Sequence, residues 1–151
     1  MPVLTAAQKR QFETQGYVVV NDVVPLPVLA RVKAEYADIM DGLYARWQAE
    51  GRVPDGAGMD FWAKLLTSYR AGCDWFQSMD ISLPDAQVSP DTPCHFGPEA
   101  FAMMTDPDLL DLVESLLGLE LTSVPIQHVR LKLPSDQRRG DEYRPHLQQI
   151  A

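Results

Sequence analysis

The chain is 151 residues long, with 46 % hydrophobic and 23 % charged residues, the proportions of an ordinary globular domain. Lys and Arg number 13 against 21 Asp and Glu, a net charge of −8 that excludes a general nucleic-acid binder, because phosphate affinity comes from Lys and Arg. Cys73 and Cys94 form no CxxC and are too few for a disulfide framework, the start lacks the pattern of a signal peptide, and no apolar run approaches the roughly 18 residues of a membrane span, so a cytoplasmic chain with reduced thiols is expected.

The first element is a short helix over about Ala6 to Gln15. Thr5 and Gln8 give the Thr-x-x-Gln capping box, and Gly16 fits the position after a helix end, where positive φ is needed. Tyr17-Val18-Val19-Val20, β-branched and aromatic, predicts a short strand bounded by Asn21-Asp22. A long helix follows, with Pro25 and Pro27 in or before its first turn and an apolar stripe at Leu29, Val32, Tyr36, Ile39, Leu43 and Trp47. Gly51 ends it, and Arg52 to Gly58 reads as a loop.

A third helix is expected over about Asp60 to Ala71, with Phe61, Leu65 and Tyr69 on one face. Residues 72–98 carry Pro84, Pro90, Pro93 and Pro98, which break any long element. Asp106-Pro107 is a helix start, N-cap then proline, for a helix running to Leu117 and stopped by Gly118. Leu121 to Leu133 reads mostly as strand. Alternation puts Gln127, Val129, Leu131 and Leu133 on one face and Ile126, His128, Arg130 and Lys132 on the other. Residues 135–151 form a polar tail.

Charge is unevenly spread. Residues 71–129 hold ten acidic side chains and no Lys or Arg, and residues 130–144 then carry five basic ones. An acidic solvated face followed by a basic loop explains this; a basic stretch meeting an anionic small molecule is the functional alternative.

Motifs for chemistry are few. His95, His128 and His146 have no carboxylate two residues on, there is no HExxH, and Gly-x-Ser-x-Gly, GxGxxG and P-loop patterns are absent. Cys94 beside His95 suggests a thiol nucleophile, but adjacent residues seldom aim their side chains at each other.

Three stretches resemble the phytanoyl-CoA dioxygenase family of Fe(II)- and 2-oxoglutarate-dependent oxygenases. One is Leu4-Thr5-x-x-Gln8-x-x-x-Phe12-x-x-x-Gly16-Tyr17-Val18-Val19-Val20, followed by the long helix with Pro25, Leu29 and Val32. The second is Asp106-Pro107-x-Leu109-Leu110-Asp111-Leu112-Val113-x-x-Leu116-Leu117-Gly118. The third is Gln127-His128-Val129-Arg130-Leu131-Lys132-Leu133-Pro134.

The resemblance implies an α+β class: a helical N-terminal part and the first strands of a double-stranded β-helix (jelly roll), its core incomplete in this chain. Residues 1–151 are then a single partial domain, with 1–120 mainly a helical shell, 121–134 the first strands and 135–151 a polar loop or tail. It also implies that Fe(II) and 2-oxoglutarate serve the full-length enzyme and hydroxylate a small organic substrate. The His-x-Asp iron motif is expected beyond Ala151, since His146 is followed by Leu147-Gln148 and does not fit it, and Arg130 is not the 2-oxoglutarate arginine. No catalytic residue, metal ligand or bound cofactor is therefore expected in this chain alone.

Similar ectoine hydroxylases place a substrate-contacting Gln near the start of the matching strand. That implies a pocket at Gln127, with Val129 and Leu131 beside it by parity. The opposite assignment, basic face inward, and an ordinary edge strand both stay open. The rival expectation is a non-catalytic family relative that binds or self-associates, a homodimer forming through an exposed strand edge.

Overall fold

The computed structural model describes residues 3–73, 76–81, 88–123, 128, 129, 131 and 133. Six helices run in order among them: α1 Ala6–Gln15, α2 Leu26–Ala49, α3 Phe61–Arg70, α4 Phe76–Met79, α5 Pro98–Met104 and α6 Pro107–Leu117. They divide between two compact units, residues 1–35 with 96–126, and residues 36–95 with 127–151.

In the first unit, α1 begins as the sequence requires. The Gln8 N–H donates to Thr5 Oγ1 at 3.3 Å, and the Thr5 N–H donates to Gln8 Oε1 at 2.9 Å. Gly16 closes the helix at φ 77°, donating to the Phe12 carbonyl. α6 is capped by Asp106, whose carboxylate accepts the Asp108 N–H at 3.1 Å, with Pro107 behind it. The α5 helix has no side-chain cap of its own, because Gly97 precedes it. One of its first-turn N–H groups is met from α2 instead. The Glu99 N–H donates to Glu35 Oε2 at 2.9 Å, and Arg31 Nε lies 2.9 Å from Glu99 Oε2.

The second unit holds most of the buried apolar side chains. Residues 36–49 of α2 bury Tyr36, Met40, Leu43, Tyr44 and Trp47, a stripe at helical period, joined by Val53, Leu65, Cys73, Met79 and Leu133. The loop after α2 folds back on it. Tyr44 Oη donates to the Pro54 carbonyl at 3.1 Å, and the Gly56 N–H donates to Gln48 Oε1 at 3.2 Å. Asp60 caps α3 through the Ala63 N–H at 2.8 Å. Lys64 on α3 reaches Asp41 on α2 at 2.7 Å. Among the described residues of the first unit the buried apolar side chains are Leu4, Val28 and Ala100, and neither α1 nor α6 has a fully buried residue.

The expected α+β class, with the opening strands of a jelly roll, is corrected. Helix makes up 56 % of the described residues and none of them is in a β-strand. Residues 17–20 are in no regular element and have no ladder partner among the described residues. Tyr17 is 57 % and Val19 71 % exposed, so propensity alone does not form a strand there. In the segment expected as the second strand, the Val129 N–H donates to a side-chain carboxylate, Asp80 Oδ1, at 3.0 Å. A donor used that way is not available to a neighbouring strand. Residues 124–127, 130, 132 and 134–151 lie outside the described residues.

No helix among the described residues is long and apolar enough to cross a membrane. The helix α5 and the single turn α4 were not evident from the sequence. Both are short and lie in or beside the proline-rich stretch.

Candidate functional site: a buried carboxylate and His128

The second unit contains a polar cluster built on Asp80, the residue after α4. Asp80 is only 2 % exposed. Burying a carboxylate costs several kcal/mol unless hydrogen bonds and a counter-charge replace water. Both are present. Oδ2 lies 2.8 Å from His128 Nδ1, and Oδ1 accepts the Val129 N–H at 3.0 Å. The Asp80 carbonyl accepts the His95 N–H at 3.1 Å. One residue thus ties together the end of α4, the loop at His95 and the segment at 128–129.

An ionised carboxylate only accepts hydrogen bonds, so the proton between the two side chains sits on Nδ1 of His128. The imidazole is oriented by a buried group that stays in place, while its side chain remains 36 % exposed. The remaining ring nitrogen, Nε2, is then the lone-pair nitrogen when the ring is neutral. The other ion pairs among the described residues, Arg31–Glu99, Arg52–Glu50 and Lys64–Asp41, each have at least one strongly exposed partner.

Of the three residues expected to line a pocket, Gln127 lies outside the described residues, and Val129 and Leu131 are half-buried. Leu133 is buried. His95 is half-buried, and its ring packs edge-on against Tyr36 with centroids 5.7 Å apart. Cys94 Sγ faces the His95 carbonyl at 3.9 Å, a contact that does nothing to activate a thiol. His146 lies outside the described residues.

The first unit carries a separate open groove of about 500 Å³. Phe12 and Tyr17 line it together with Leu109, Leu112 and Leu116, spaced so that one face of α6 contributes.

The iron implied by the resemblance can be tested against these residues. A 2-His-1-carboxylate site needs three ligands facing one point. No group of three His, Cys, Asp or Glu side chains among the described residues could hold a metal ion. Asp80 and His128 are engaged with each other, so the described residues do not fit iron.

Sequence pattern gave no pointer to Asp80 and His128 as a pair, because they are 48 residues apart and no local period links them. No family model, curated protein or solved structure matches the chain.

Proposed function

We propose that the chain is the helical N-terminal part of an Fe(II)/2-oxoglutarate-dependent oxygenase of the phytanoyl-CoA dioxygenase type, acting on a small organic substrate in the cytoplasm. The observation that carries this reading is the Asp106-Pro107…Gly118 stretch followed by Gln127 to Pro134. Support comes from α1, α2 and α6, which stand where the resemblance calls for helices, with Thr5, Gln8, Gly16 and Asp106 serving as their caps. In this reading the chain contributes one wall of a substrate pocket through Gln127, Val129 and Leu131. Metal and 2-oxoglutarate belong to residues other than those described, and no chemical step is assigned to this part.

Two measurements test it. Anaerobic calorimetric titration of the 151-residue chain with Fe(II) or Mn(II) is expected to show no stoichiometric binding. Tight binding would overturn the assignment of the ligands elsewhere. The coding DNA past codon 151 is expected to continue in frame into His-x-Asp; a frame without that motif sinks the reading.

The groove beside Phe12 and Leu112 favours a second reading, a non-catalytic binding or self-association module. Sedimentation separates the two, because a discrete dimer favours the module.

A further inference from the structure

We draw no further inference here: the strongest candidate, the open apolar groove of the first unit lined by Phe12, Tyr17, Leu112 and Leu116, carries none, because nothing in the structure shows what covers it.

Discussion

The backbone of Gly56 runs against the ring of Tyr44 so closely that a β-carbon at position 56 would lie 2.6 Å from Cε1 and 2.9 Å from Cδ1. The ring cannot retreat, because Tyr44 is buried and its hydroxyl is tied to the Pro54 carbonyl. The glycine is there for space, since its φ is not positive. Gly56→Ala is therefore expected to destabilise the chain by about 1–3 kcal/mol, the usual cost of overpacking. Urea unfolding measures it, and a change below about 0.5 kcal/mol would mean the loop moves aside freely.

Tyr44 itself carries a pH dependence. Burial pushes its phenol above the ordinary 10.0, Asp55 and Cys73 push the same way, and the Lys64 ammonium pulls it down. The unfolded phenol ionises first as pH rises. The stabilisation is thus complete below about pH 10 and is lost as pH rises through the folded-state pKa. Tyr44→Phe is expected to show a flatter alkaline limb in a plot of stability against pH. At neutral pH it should cost about 1 kcal/mol, the worth of a hydrogen bond.

Core position predicts unequal costs for two leucines. Leu65 is fully buried in the second unit, whereas Leu112 is half-buried and borders the groove in the first. Leu65→Ala is expected to cost about 2–5 kcal/mol, and Leu112→Ala well under 2 kcal/mol. Chemical denaturation of both variants checks the order, and equal costs would place a core where the groove is.

Removing His128 should hurt more than its exposure suggests. His128→Ala leaves the Asp80 carboxylate buried with its Val129 hydrogen bond and no side-chain partner at Oδ2, at an expected cost of about 1–3 kcal/mol. His128→Asn restores a donor and should recover at least half of that. Thermal melts of the two variants read the difference.

Local chemistry was legible in the sequence, and long-range chemistry was not. The ends of α1 and α6 follow from Thr5, Gln8, Gly16, Asp106 and Pro107, because a cap is decided within four residues. The stripe of α2 was read from its period, but its phase was not fixed. Tyr36, Leu43 and Trp47 are buried as the stripe requires, while Leu29 and Ile39 are half-buried, and Met40 and Tyr44 occupy the centre instead. Tertiary contacts set that rotation. The strand at Tyr17–Val20 failed because strand propensity needs a neighbour to act on. Asp80 and His128 were missed because nothing in the order of residues shows which carboxylate is to be buried.

Glu35 gives the chain an order of assembly. The α5 helix is 7 residues long, shorter than a helix that holds together in water unaided. Its first-turn N–H at Glu99 is met by a carboxylate 64 residues earlier, on the 24-residue α2. So α5 has no stable form until α2 exists to receive it. The earlier helix acts as a template, and the later one is laid down on it only after a long loop has closed.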